Sequence, residues 1–283
     1  MTRLSFNACA TALTLLLALP LSGQVADGDR HYAARAEGAQ GARAKAEHID
    51  AAIAAYQRAV TGNPNDLDAQ FKLLRAIRFK GAYVAANAEQ KKQIYGLAKD
   101  AGEKAVAVVN RRLAVNAKTP EKQVADAARA IPGAAEVLLW DAINWGEWAL
   151  AYGKMAAARQ GAADRIRREA TIAHLTNPRL EDGAPSRVLG RLHDQTPRIP
   201  LITGWASSKE ALRFLTESQK LSPKNKLTLV FLAEAMVSND SSRKPQGAQI
   251  LQGVVSAPND PQFLVEDAAA VEDAKVLLRK WGA

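Results

Sequence analysis

Cysteine is almost missing from this sequence. Its 283 residues carry one, Cys9, so no disulfide can form within the chain and no Cys-based metal or redox motif exists. Histidines number four, His31, His48, His174 and His193. No two stand at a metal-binding spacing such as i, i+4, and cysteine ligands are lacking, so no metal centre is expected. Glycine patterns of the P-loop or dinucleotide-binding type, and the nucleophile elbow of hydrolases, are absent. The sequence therefore calls for no cofactor and offers no convincing catalytic site. Aromatic residues make up only 6% of the chain. Strand signals, meaning alternating Val/Ile/Thr runs and hairpin dipeptides, are nearly missing too. After the N-terminal segment no stretch approaches the ~20 apolar residues of a membrane helix.

What is present is a helical vocabulary. The chain is 48% hydrophobic and rich in alanine, the best helix former and one that lets helices approach closely. The N-terminus has the pattern of a signal peptide over 1–26. Arg3 supplies the positive region, Ala8 to Leu19 the short apolar core, and Ser22, Gly23 and Ala26 the small residues. Cleavage fits after Gly23 or after Ala26. The expected location is thus periplasmic or secreted. Cys9 precedes its apolar run rather than following it, which is the wrong order for a lipid-attachment cysteine. The net charge of +9 would suit nucleic acid in a cytosolic protein. In an exported one it points to anionic solutes, an anionic membrane surface or a simple solvated basic face, and nucleic acid is not expected.

Residues 27–41, rich in Ala, Gly and charge, read as a flexible segment, and 42–283 as one helical domain. Ile49, Ile53, Tyr56 and Val60 step along one helix face, and Thr61-Gly-Asn-Pro-Asn-Asp66 ends that helix. Leu67, Phe71, Leu74 and Ile77 begin the next. A long helix is expected over 89–117, a shorter one from Glu121, an apolar one over 134–158 and another over 162–175. Further helices follow over 227–237, 245–255 and 262–281. Between them lies Asp182 to Asn225. There Pro185 opens a short helix, Pro197, Pro200 and Gly204 forbid regular structure, and Ser207 or Ser208 caps a further helix closed by Pro223. Ile199, Leu201, Ile202 and Trp205 make the intervening loop apolar, and an apolar loop is expected to bury itself in the core or against a ligand or partner.

Superposing Pro64 on Pro223 matches Ile53 with Leu212, Tyr56 with Leu215, Phe71 with Val230 and Leu74 with Ala233. A weaker copy surrounds Pro258, 35 residues beyond Pro223 and close to the ~34 of a tetratricopeptide (TPR) repeat. The interval from Pro64 to Pro178 is irregular. The expected fold is all-α, a TPR-like right-handed α-superhelix of degenerate, interrupted helix pairs, each burying its apolar face against its neighbours.

Over roughly 138–237 the chain resembles the TatT family, the TPR-like helical components associated with periplasmic TRAP transporters. The resemblance rests on Trp145-Gly-Glu-Trp148, Val188-Leu-Gly190, the Pro-rich loop from Pro197 to Gly204, and the repeat-type helix ending at Pro223. It implies a groove or channel for an apolar or amphipathic anionic solute beside a periplasmic solute-binding protein. The chain departs from the family's pattern in lacking a lipidation cysteine.

Two groups of residues are ligand-binding candidates. Trp145, Trp148 and Tyr152 share a helix face, with Trp140 off that stripe. They form either an aromatic wall for a ligand or ordinary inter-helix core. Arg187 and Arg191, one turn apart, and Arg198 in the apolar loop beside Trp205 could capture a carboxylate or phosphate, or belong to a locally paired surface such as Arg191 with Asp194. His193 and Glu147 are thin candidates for acid–base work. The function expected is a non-enzymatic exported repeat protein that binds a small anionic or apolar solute as an accessory of uptake. The alternative is a periplasmic protein–protein scaffold, and self-association into a homo-oligomer is compatible with either.

Overall fold

The computed structural model describes residues 21–283, and the Cys9 and leader expectations lie largely outside that range. The protein is all-α, with no strand among the described residues. Among the described residues, thirteen α-helices follow in order: α1 (Leu21–Ala33), α2 (Ala46–Gly62), α3 (Leu67–Tyr83), α4 (Ala88–Leu113), α5 (Glu121–Ala128), α6 (Ala134–Tyr152), α7 (Lys154–Arg159), α8 (Ala162–Thr176), α9 (Leu180–Gln195), α10 (Ser208–Leu221), α11 (Lys226–Asn239), α12 (Lys244–Ser256) and α13 (Leu264–Trp281).

The repeat seen in sequence is a repeat of turn chemistry. After Pro64, Asp66 caps α3 by accepting from the N–H groups of Asp68 and Ala69. After Pro223, Asn225 caps α11 by accepting from Thr228 N. After Pro258, Asp260 accepts from Gln262 N at the entry to α13. In each turn the proline excludes continuation of the first helix, and an Asx two residues later satisfies the orphan donors of the second.

Each helix packs on the next, giving an inner row (α3, α6, α9, α11, α13) and an outer row (α2, α4, α8, α10, α12). Successive inner helices pack on one another, so the array curves around the inner side. The curve closes. Val265 of α13 is fully buried in the N-terminal cluster with Ile49, Ile77 and Phe79. Arg35, just after α1, reaches Glu266 of α13 at 2.8 and 3.1 Å and donates to Gln262 O at 2.5 Å.

Within 27–41, the segment expected to be flexible, several residues make contacts that serve this closure. Asp29 of α1 accepts from the Tyr56 hydroxyl at 2.8 Å and from Lys72 Nζ at 2.9 Å. Gly28 lies flat against Tyr56, where a Cβ would come within 2.4 Å of the ring. Tyr32, Ala36 and Ala39 also pack against the N-terminal cluster. The helix expected over 134–158 is two helices, because Gly153 adopts φ +91° between α6 and α7.

The α9–α10 contact explains the Leu-Gly pair. A Cβ at Gly190 would meet Leu215 Cγ at 2.6 Å, Leu215 N at 3.0 Å and Ala211 O at 3.1 Å. Two of those three neighbours are backbone of the facing helix and cannot swing away. Gly190→Ala is therefore expected to destabilise the protein by about 1–3 kcal/mol through overpacking, read as a lower melting temperature. An unchanged melt would show that the two helices are not in this register.

Candidate functional site

The inner row points charge, not hydrocarbon, towards the centre of the curve. Arg75 and Arg78 of α3 stand one turn apart. Arg78 contacts Glu147 of α6 at 2.9 Å and donates to the Tyr83 hydroxyl at 2.8 Å. Arg75 faces Glu181 at 3.8 Å, and Glu181 also accepts from Trp140 Nε1 at 3.3 Å. The ring of Tyr32 sits between two guanidiniums, Arg75 at 4.2 Å and Arg35 at 4.5 Å, a favourable cation–π arrangement. Burial raises its phenol pKa, against the pull of those two arginines. Arg191 is committed to Glu234 of α11 at 2.6 Å and to Asp194 at 3.3 Å.

Arg187 differs from these neighbours. It is partly buried, and its guanidinium donates only to neutral oxygens: Thr228 Oγ1 at 3.1 Å, Asp182 O at 3.3 Å and Glu181 O at 3.4 Å. Burial pulls its pKa down to about 10, Arg78 pushes the same way, and Asp182 and Glu181 oppose. It remains a cation at neutral pH, without a carboxylate in hydrogen-bond contact.

The backbone that receives it is strained. Glu181, Asp182 and Gly183 have φ of +45°, +59° and +74°. For the first two this left-handed region costs on the order of 1–3 kcal/mol each, and such strain concentrates at ligand clamps and switch regions. The kink splits α9, so the helix proper begins at the predicted Pro185. It also turns two carbonyls onto Arg187. Ser218 Oγ holds the kink from α10 by donating to Gly183 O at 3.0 Å.

The other sequence candidates are dispersed. Trp145 and Trp148 are 2% and 7% exposed and belong to the core between α6, α8 and α9. Tyr152 stacks on Trp148 at the outer end of the stripe and donates to Lys92 O at 3.3 Å. Trp140 alone of the aromatic group borders the charged interior, through Glu181. Arg198 is exposed on the loop, away from Arg187 and Arg191 in its contacts. Trp205 donates to Asp164 of α8 at 2.9 Å and meets His193 edge-on. The loop does not bury itself: Ile199, Leu201 and Ile202 are 45%, 104% and 65% exposed. Its polar backbone is satisfied internally around Thr203, so it stands up without packing on the core.

Both acid–base candidates hold contacts within the fold. Glu147 is paired with Arg78, and His193 Nδ1 accepts from Ser207 N at 3.2 Å, beside the cap of α10. Burial lowers the His193 pKa, consistent with a neutral ring. No group of three or more His, Cys, Asp or Glu suited to a metal ion occurs among the described residues.

A second charged cluster is structural. Asp141 (0% exposed) and Glu169 (5%) share Arg165, at 2.7 Å and 3.1 Å. Burial and then the charge of Asp141 hold the Glu169 carboxyl well above the usual carboxylate range. One guanidinium thus bridges two buried carboxyls, tying α6 to α8.

No protein-family model and no curated protein matches the chain. Among solved structures, the TPR2AB domain of yeast Sti1, solved as a complex with pHSP90, aligns over 93% of this chain and 98% of its own. The identity is 14% and the TM-score 0.32.

Proposed function

We propose that this helical-repeat protein binds a small anionic solute within its curved interior, with Arg187 as the anchoring cation. The observation that carries the reading is the guanidinium itself: partly buried, facing only neutral oxygens, and set against a strained turn. Asp182 and Glu181 act on it only at a distance; a desolvated cation with no carboxylate in contact is disfavoured, and a carboxylate or phosphate accepting two parallel N–H bonds would supply what is missing. Arg75, Arg78 and Arg191 already hold carboxylates, so they would shape the field around the ligand. Trp140 and Tyr32 offer apolar surface nearby, which suits an anion with an organic body.

In this reading the protein is a binder rather than an enzyme, since Glu147 and His193 are engaged in structural contacts. It is exported through the leader at 1–26 and works as an accessory of solute uptake, as its TatT-like segments imply. The aromatic stripe of Trp145 and Trp148 supports the binding wall from behind.

Native mass spectrometry of the mature protein purified from its own host tests this. The expected result is an additional small anionic mass, lost on denaturation and absent from Arg187→Met. A bare chain, or one arriving only with a second protein, would sink the solute reading and favour the scaffold.

A further inference from the structure

The topology brings a group of exposed apolar side chains together at one end of the molecule. The C-terminus of α6 meets the N-terminal part of α4 through Tyr152 and Lys92. The loop after α9 meets the N-terminus of α8 through Trp205 and Asp164. Helix α7 lies between, its Ala156 and Ala157 flanking the same buried cluster as Leu192 and Phe214. This end carries Leu150 (78% exposed), Met155 (71%), Ile199, Leu201 and Ile202. It also carries Lys154, Arg159, Arg198 and Lys209. All four are exposed and enter no ion pair among the described residues, whereas Arg167 and Arg213 pair with Asp164 and Glu210.

The loop is built to hold its side chains outward. Thr203 Oγ1 donates to Pro197 O at 2.5 Å and accepts from Ile199 N at 3.0 Å. Ile202 N and Thr203 N both donate to Ile199 O, at 3.1 and 2.8 Å. Leu201 is held at φ +66°, an outlier for a bulky side chain, and is fully exposed. At its base Trp205 is fixed by Asp164 and by the Arg167 guanidinium 4.8 Å above its ring. The ordering that a loose loop would need on binding is already done.

We infer that this end docks on an anionic lipid surface, with Leu201 and Ile202 entering the headgroup boundary and Lys154, Arg159, Arg198 and Lys209 against the headgroups. Aliphatic tips ringed by unpaired cations are the complement of such a bilayer. A protein groove would require matching acidic and apolar relief, and nothing in this face specifies one. Membrane contact here needs no lipid anchor.

The test is flotation of the mature protein with vesicles of phosphatidylcholine containing phosphatidylglycerol, beside pure phosphatidylcholine. Leu201→Ser/Ile202→Ser removes the apolar tips without changing charge, and Arg198→Gln/Lys209→Gln removes two cations. Thermal melting confirms folding of each. The expected outcome is binding to the anionic vesicles only, weakened at least tenfold by the serine pair, and weakened by the glutamine pair and by added salt. Equal binding by wild type and the serine pair would reduce the effect to net charge and overturn the proposal. Absence of vesicle binding would overturn it as well, and concentration-dependent self-association lost in the serine pair would then assign the face to a second copy.

Discussion

Arg35→Ala should lower the melting temperature by roughly ten degrees, the largest loss expected from any single truncation of a charged side chain in this protein. Arg35 is 8% exposed. Its guanidinium reaches Glu266 and Gln262 O on the far side of the chain, donates to Tyr32 O, and covers the rings of Tyr32 and Phe79 at 4.5 and 5.4 Å. Truncation leaves Glu266 largely buried without its partner. Breaking a buried pair in this way costs about 3–5 kcal/mol, and a chain of this size loses about 2–4 °C per kcal/mol. Arg35→Lys would recover little, since a single ammonium cannot address the carboxylate, the carbonyl and two ring faces together. Differential scanning calorimetry decides the matter. A loss of only a degree or two would mean that Val265 and its apolar neighbours close the array unaided.

Arg187→Met should do the opposite to the empty protein and more harm to the occupied one. The penalty for holding this guanidinium charged is present at every pH below its folded value of about 10 and is relieved only as pH rises through that value. At neutral pH it is therefore present in full. Replacing the cation with an unbranched apolar side chain of similar reach should raise the stability of the ligand-free protein by about 1–3 kcal/mol while removing the bound anion. A gain in stability coupled to a loss of binding is the usual mark of a functional site. Melting curves and ligand occupancy in native mass spectrometry, taken on the same preparations, measure both. If the variant melts lower than wild type, Arg187 is instead a strut between the α9 kink and Thr228, and the site is elsewhere.

How much of this was legible follows from the range of the interactions concerned. The paired helices and their turns were readable because a proline, an Asx cap and a stripe of apolar residues act within a few positions. The core role of Trp145 and Trp148 was one of two readings that helical spacing allowed, and burial selects it. The left-handed turn at Glu181 and Asp182 was not readable, because neither residue announces a positive φ. Tertiary contacts, among them Ser218 on Gly183 O, hold it. Arg75 and Arg78 were missed as interior residues because an arginine beside an apolar stripe usually meets solvent. Here the array curves over them. The loop at Leu201 was expected to bury itself on the rule that apolar side chains avoid water, but nothing in the local sequence places a cover over it. Closure through Arg35 and Glu266 spans 231 residues, beyond the reach of any periodicity.

That closure also fixes how the molecule can change. An open array tolerates one module more or fewer, and it can come undone from either tip, because each module depends only on its neighbours. A looped one has no tip. Adding or deleting a helix pair would carry Val265 out of the N-terminal cluster, so the number of modules is locked. Unfolding of the first helices and the last becomes one event. Hydrogen exchange in α1 and α13 is then expected to follow a common rate, with neither helix acting as the weak one.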